Sequence, residues 1–316
     1  MKLLLNSQIL EQVDVAAYIR LMRLDRPVGS LLLLWPTLAA LWIAADGLPP
    51  IGLIVLFTLG TFLMRAAGCV VNDYADRDFD GSVKRTADRP LATGAIAETS
   101  ALIAFFILAF FSAVLLLFLN ELARWLAVAG LAIAVSYPFM KRWTYLPQVV
   151  LGAAFSWGIV MAFAAVTGKV PTTGWLLFVA SLFWIVAYDT MYAMVDRDDD
   201  LQIGVKSTAI LFGSADRLMV GLLQAFTVVT LLLLGRRLEY QLLYTAGVWV
   251  GAGLFAYQQY LIRGRARDAC FRAFANNVWV GFALFAGVVL ETSAGDTVAA
   301  WLEGLAVFEG LEVSLR

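Results

Sequence analysis

From residue 72 to residue 81 the chain runs Asn72-Asp73-Tyr74-Ala75-Asp76-Arg77-Asp78-Phe79-Asp80-Gly81, so carboxylates and amides crowd the end of a long apolar stretch. Charge set against that much apolar sequence is a functional signal by default, since hydrocarbon tolerates it poorly. The order Asp76-Arg77-Asp78-x-Asp80 returns in the second half of the chain as Asp196-Arg197-Asp198-Asp199-Asp200. The sequel returns with it, Val83-Lys84-Arg85-Thr86 becoming Val205-Lys206-Ser207-Thr208. Two half-sites of hard oxygen donors, each followed by lysine and threonine, suit a divalent-cation clamp on a phosphorylated ligand. Mg²⁺ keeps several waters and binds through one or two carboxylates plus substrate phosphate oxygens, which a split site can supply. Arg77, Lys84, Arg85, Lys141, Arg142 and Lys206 would complete the cradle as fixed positive charges.

The spacing says how these groups must be held. Asn72, Asp76 and Asp80 stand at i, i+4 and i+8, which confines them to an arc of about 80° if a helix carries on through them. Asp196 and Asp200 repeat the i, i+4 step, and Arg65 and Asp189 look along the same two faces from two turns deeper. Charge at that depth requires a wet or protein-lined interior, so the two faces are expected to point at each other. A single acidic run at a helix end is most often a solvated loop, and the matched duplicate argues against that reading here. Read alone, Lys141-Arg142 is a membrane anchor, Arg65 snorkels to the interface, and the basic run from Arg263 to Arg272 is only an anchor. Trp157, Trp184 and Tyr188 fall inside apolar stretches and could wall an apolar pocket.

Composition names the setting. Of 316 residues 61% are hydrophobic and 15% charged, with a mean hydropathy of +0.81, against a charged share of about 25% in soluble domains. The chain is therefore a polytopic membrane protein, and its partner is the lipid bilayer. A net charge of -1 gives no support to nucleic-acid binding. Without a histidine there is no His-ligated haem or zinc, no Ser-His-Asp triad and no imidazole base. Two cysteines, Cys69 and Cys270, make no disulfide framework.

At about 20 apolar residues per crossing, nine spans are expected, near 28–46, 50–71, 100–119, 122–139, 146–166, 174–194, 216–235, 241–262 and 274–292. They follow a cytoplasmic N-terminal segment, 1–27, and precede a periplasmic tail, 293–316, with Trp301, Leu305 and Phe308 at helical spacing. Arg124, Lys169, Arg236, Arg237 and Arg316 fall on one side, and seventeen of the 23 Lys and Arg residues on the other, which places both acidic stretches in the cytoplasm. The motifs end the second and sixth spans, so parity puts them on one face over one cavity. If the ligand's organic half is a long isoprenoid, the spans become the wall for its tail. Residues 1 to 26 carry both acids and arginines and no cleavage site, so neither a removable signal nor a transit peptide is expected. A bacterial inner membrane is preferred on that ground.

Asn72 to Gly81, continuing through Lys84-Arg85-Thr86 and Arg89-Pro90, resembles the first aspartate-rich motif, NDxxDxxxD, of the UbiA superfamily of intramembrane prenyltransferases. Tyr188-Asp189-Thr190, Asp196 to Asp200, Gly204 and Lys206-Ser207-Thr208 resemble the second. Tyr137-Pro138-Phe139-Met140-Lys141 is similar to the YxxxK element, and Arg142 through Leu146-Pro147-Gln148 to the branch acting on 4-hydroxybenzoate. The likeness spans approximately 18–292. It implies an all-α membrane protein, nine transmembrane helices in a bundle around a central cavity open sideways to lipid. It also implies a chemistry: a polyprenyl diphosphate held through Mg²⁺ loses diphosphate and alkylates 4-hydroxybenzoate ortho to its hydroxyl, on the way to ubiquinone. By position, Asn72, Asp76, Asp80, Asp196 and Asp200 would hold metal, and Arg77 and Arg142 would orient anionic groups. Tyr137 and Lys141 would lie against the diphosphate, with Arg65, Asn72, Lys84 and Lys206 as further substrate contacts. Asp189 and Asp196 are the candidates for steering or deprotonating the ring, and Asp73 for a local hydrogen bond. Two other readings stand beside this one: a sister enzyme with another aromatic or quinone acceptor, and an ion-coupled carrier using Asp189.

Overall fold

The computed structural model describes residues 14–314, with side chains for all but 79, 296 and 298–314. Lys2 and Arg316 of the charge count, residues 1–13 of the N-terminal segment, and the side chains of Trp301, Leu305 and Phe308 lie outside the described residues. Among the described residues the regular elements are helices alone: α1 Val15–Leu21, α2 Val28–Ala45, α3 Ile51–Asp80, α4 Glu98–Leu116, α5 Glu121–Trp143, α6 Pro147–Thr167, α7 Thr172–Ile203, α8 Thr208–Phe212, α9 Asp216–Arg237, α10 Leu242–Leu261 and α11 Arg267–Ser314, with two 3₁₀ turns at Gly213–Ala215 and Ile262–Gly264.

Local sequence sets the ends of these helices. α6 begins at Pro147, whose missing N–H costs nothing at a first helical position, and stops at Gly168 in the left-handed conformation (φ 69°). α7 stops the same way at Gly204 (φ 74°). The Asn120 side chain accepts from Ala123 N (2.9 Å) to cap α5, and its amide donates to Ala164 O (2.6 Å), tying that end to the end of α6. At 30 and 32 residues, α3 and α7 exceed what a crossing needs. Each projects roughly ten residues, about 15 Å, beyond the hydrocarbon, and those projecting turns are the acidic motifs.

Among the described residues eight helices are long and apolar enough to cross a membrane. They match the expected spans closely, with the expected eighth as the exception. α10 has the length but also Gln258, Gln259 and three glycines, and so falls short on apolarity. The structure shows why it carries them. Gln258 and Gln259 exchange hydrogen bonds with Gln224 of α9, each 2.9 Å, and Gln258 donates to Asn276 of α11 (3.0 Å), so the amides join three helices instead of meeting lipid. On the same helix a Cβ at Gly247 would lie 2.7 Å from Ala283 O and 3.1 Å from the Gly287 Cα, so only glycine allows this approach of α10 to α11. The ninth expected span is longer than the sequence suggested, since α11 continues without a break through residue 292 to Ser314.

α7 is central, packed against α6, α9 and α11, while α2 fits between α6 and α11. Their buried faces form the core, with Trp184, Tyr188, Met191 and Val280 in one cluster and Leu41, Ile159, Phe163 and Leu234 in another. α4 and α5 stand at the periphery and turn Phe106, Phe110 and Trp125 outward, as lipid-facing helices do. A smaller cluster, Leu21, Val70, Leu91 and Ile96, seats α1 and the segment after α3 against the C-terminal part of α3.

Candidate active site

The C-terminal ends of α3 and α7 emerge on the same face and are bound to one another. After Asp80 the chain turns back through Thr86, whose hydroxyl donates to Asp80 O (2.9 Å), and a run of tight turns holds Val83 to Arg89 over the helix end. This return presents two arginines. Arg85 grips Asp196 of α7 through Nε (2.9 and 3.0 Å) and Nη2 (2.6 Å) and lies 4.5 Å over the Tyr192 ring. Arg89 bridges Asp73 (2.9 Å) and Asp80 (2.8 Å) within the first motif. Arg23, just after α1, gives a second cation to Asp73 at 2.9 Å. Lys141 of α5 pairs with Asp76, its charge also acts on Asp200, and its carbonyl accepts from Lys206 N (3.1 Å). The expected convergence of the second and sixth spans is therefore present.

Beyond the span that ends at Asp78, burial raises the Asp80 pKa, with Arg89 opposing and the Asp76 and Asp73 charges adding to the rise. Burial alone would lower the pKa of Arg85 and Arg89. The acidic neighbours, Tyr192, Asp196 and Asp80 around Arg85 and Asp73 and Asp80 around Arg89, more than offset it, so both guanidiniums stay charged.

Beneath this network lies a cavity of about 1260 Å³. Its mouth is polar, lined by Asn72, Asp73, Lys84, Arg85 and Arg89. Its middle carries Arg65, Tyr137, Tyr188, Asp189 and Tyr192, and its depth is apolar, with Leu56, Phe57, Leu116, Leu119, Trp157 and Met161. From Asp73 back to Leu56 along α3 the cavity runs about 25 Å at 1.5 Å per residue. A charged head at the surface and a long hydrocarbon chain behind it would be accommodated together.

Of the residues singled out from the sequence, Arg65, Asn72, Lys84, Tyr137 and Asp189 line this cavity. Asp76, Asp80, Asp196 and Lys141 sit in the ion-pair network at its rim. Asp200 lies within reach of the Lys141 and Arg85 charges. Arg77, Arg142 and Lys206 are not among the lining residues. Arg77 stacks on Tyr74 (4.5 Å) and pairs with Glu98 of α4 at 3.2 Å. Arg142 donates to Ala75 O (2.9 Å), and Lys206 donates to Trp143 O (3.3 Å).

Two expectations change. Asp73 is 1% exposed and, instead of a local hydrogen bond, pairs with Arg23, 50 residues away, and with Arg89. The basic run after α10 is more than an anchor: Arg267 holds Asp199 (2.8 Å), and Arg265 with Arg197 holds the buried Asp216 (2.6 and 3.2 Å). These pairs fix the end of α7 against α9 and α11. No local pattern marks Asp216 or Arg267, because their partners are distant in sequence.

The residues fit a hard divalent cation. The donors are all oxygens, and the Asn72 amide oxygen and one carboxylate oxygen of Asp76 are buried with no hydrogen-bond partner. Among the described residues no three Asp, Glu or Cys side chains gather closely enough to hold a metal ion by themselves, so an ion there would take its remaining coordination from substrate phosphate and water.

Residues 33–290 match the UbiA prenyltransferase family. The 4-hydroxybenzoate octaprenyltransferase of Tolumonas auensis is 58% identical over 273 residues, covering 86% of this chain and 96% of that one. Among solved structures, the apo UbiA homolog from Aeropyrum pernix K1 superposes with a TM-score of 0.74 at 23% identity, covering 82% of this chain and 97% of its own. The Archaeoglobus fulgidus homolog, solved bound to GPP and Mg²⁺, gives 0.64 at 21% identity, covering 85% and 99%. With the family matched over most of its length and a relative identical at more than half of the aligned positions, the chain belongs to the UbiA prenyltransferase family.

Proposed function

We propose that this protein transfers a polyprenyl group from polyprenyl diphosphate to 4-hydroxybenzoate, giving 3-polyprenyl-4-hydroxybenzoate and diphosphate in ubiquinone biosynthesis. The observation that carries the reading is the Arg85–Asp196 contact, which joins two acidic motifs over the polar mouth of a deep apolar cavity. The octaprenyltransferase relatives supply the acceptor, and the structure bound to GPP and Mg²⁺ supports a divalent ion in this protein too.

Asn72, Asp76 and Asp80 from α3 with Asp196 and Asp200 from α7 would hold Mg²⁺. Bound there, the ion neutralises the diphosphate and makes it a better leaving group. Lys84, Arg85, Arg89 and Lys141 add fixed positive charge where the leaving group gains negative charge. The allylic carbon–oxygen bond breaks with its electron pair going to diphosphate, and the ring carbon ortho to the acceptor's hydroxyl takes up the allylic cation. That carbon then loses its proton. Asp189 is the better placed base, because it lines the cavity and Asp196 is committed to Arg85. The apolar depth holds the chain and keeps water from the cation. The basic residues gathered at the mouth support a cytoplasm-facing site in a bacterial inner membrane.

The test uses purified protein in detergent with a polyprenyl diphosphate and a panel of aromatic acceptors, with and without chelator. Prenylated 4-hydroxybenzoate that disappears on chelation is the expected result. Turnover indifferent to chelator would remove the metal clamp, and preference for another acceptor would remove the substrate.

A further inference from the structure

Away from the cavity, the membrane face that carries the acidic motifs has a basic edge where α9 begins and α10 ends. Asp216, at the start of α9, is fully buried, and Arg197 (3.2 Å) and Arg265 (2.6 Å) both pair with it, while Arg267 is taken up by Asp198 and Asp199. Arg217, the next residue, turns to α10 instead. Its Nη1 donates to Arg263 O (3.2 Å), and its Nε is buried with no hydrogen-bond partner. Arg263 is exposed, and its guanidinium lies 4.1 Å over the Tyr260 ring. Among the described residues neither Arg217 nor Arg263 has a carboxylate within ion-pair distance, and neither lines the cavity. Arg197, Arg217, Arg263 and Arg265 thus share the single carboxylate of Asp216, an excess of positive charge that calls for an anion.

What lies beneath this edge says which anion. Leu218 and Leu222 on α9 and Tyr257 and Tyr260 on α10 are all exposed. The two helices stay joined between them, with Gly221 against Gln259 and Gln259 donating to Gln224 (2.9 Å). Unmatched guanidiniums therefore cap an outward strip of aliphatic and aromatic side chains, with tyrosines at the level where headgroups sit. A small anion in water would satisfy the arginines and leave the strip bare. A phospholipid matches both, phosphate above and hydrocarbon below.

We propose that Arg217 and Arg263 bind the phosphate of an anionic phospholipid whose chains lie along the exposed faces of α9 and α10. The guanidiniums supply charge-assisted hydrogen bonds, and the Arg217 Nε gains the partner it lacks. Because the edge already holds more cations than anions, it favours a headgroup that brings no ammonium of its own, a phosphatidylglycerol over a phosphatidylethanolamine. The bound lipid ties α9 to α10 where Asp216 and its arginines fix them to α7. This site is separate from the cavity and does not depend on which acceptor the cavity takes.

The test titrates the purified protein in detergent with dioleoylphosphatidylglycerol, dioleoylphosphatidylethanolamine or inorganic phosphate, following retained lipid by native mass spectrometry and Tm by thermal unfolding. Phosphatidylglycerol should be retained and should raise Tm to a plateau, with the other two nearly without effect. Arg217→Gln and Arg263→Gln should each weaken phosphatidylglycerol binding about tenfold or more, as for lost hydrogen bonds to a charged group. Arg236→Gln, at the opposite end of α9, should bind as wild type does. Should Arg217→Gln not fold, Arg263→Gln carries the test, since the Arg263 guanidinium meets only a ring. Equal stabilisation by phosphatidylethanolamine would remove the anionic headgroup, and equal stabilisation by inorganic phosphate would remove the lipid. Wild-type binding in both edge variants, or an equal loss in Arg236→Gln, would remove the site. Each of these results overturns the proposal.

Discussion

At the rim of the cavity three motif carboxylates meet cations, Arg85 on Asp196, Lys141 on Asp76, and Arg89 on Asp80 and Asp73 together. This matching keeps like charges close together without forcing them apart, and it presents positive and negative groups side by side to a metal diphosphate. Asp76→Asn and Asp196→Asn are each expected to lower kcat about 100-fold or more, with the yield of folded protein unchanged by size-exclusion chromatography. Asp46→Asn, on the exposed opposite face in a left-handed turn that Asn tolerates, should keep near-wild-type rates. Equal losses from all three would mark the motifs as structural. The acids were legible in the sequence because their order and helical spacing repeat. Arg23 on Asp73 and Arg267 on Asp199 were not, since an ion pair between distant segments leaves no local trace.

Helices α3 and α7 position the chemistry by being too long for the bilayer, so their last turns and the acids on them stand in the interface. The same economy of sequence appears at the other end of the molecule. Glu291, on the inward face of α11, accepts from Gln241 N (2.5 Å) and Tyr244 N (2.9 Å), capping the N-terminus of α10 from a neighbouring helix. A carboxylate there satisfies two orphan donors and complements the helix dipole. Glu291→Ala should cost about 1–2 kcal/mol, measured as a lowered Tm in detergent, while kcat/KM stays unchanged. An unchanged Tm would show that water caps the helix as well. Most spans were visible as apolar runs of crossing length. α10, expected like the others as a span, is the one that falls short in apolarity, because its glutamines and glycines are explained by partners on α9 and α11 rather than by lipid.

For the whole molecule, the account is of one cavity with a charged mouth, an arginine and tyrosine waist, and an apolar depth, enclosed by a bundle whose most lipid-exposed members are α4 and α5. The bundle was legible from composition and parity, and its depth was not, because cavity length depends on which side chains α2 to α6 leave short. Filling the deep end with Met161→Trp should lower kcat/KM for a long polyprenyl donor about tenfold relative to a geranyl donor, measured by competition between the two. A uniform loss for both would mean that the tail does not reach Met161. The central claim, that α3 and α7 grip one diphosphate jointly, is tested most directly by a double-mutant cycle. Mg²⁺-dependent binding of an unreactive prenyl thiolodiphosphate would be measured by calorimetry for wild type, Asp76→Asn, Asp196→Asn and the double variant. Joint action requires each single change to remove most of the Mg²⁺-dependent affinity and the double to lose little more than either. Independent losses that simply add, or a single variant that still binds like wild type, would contradict it.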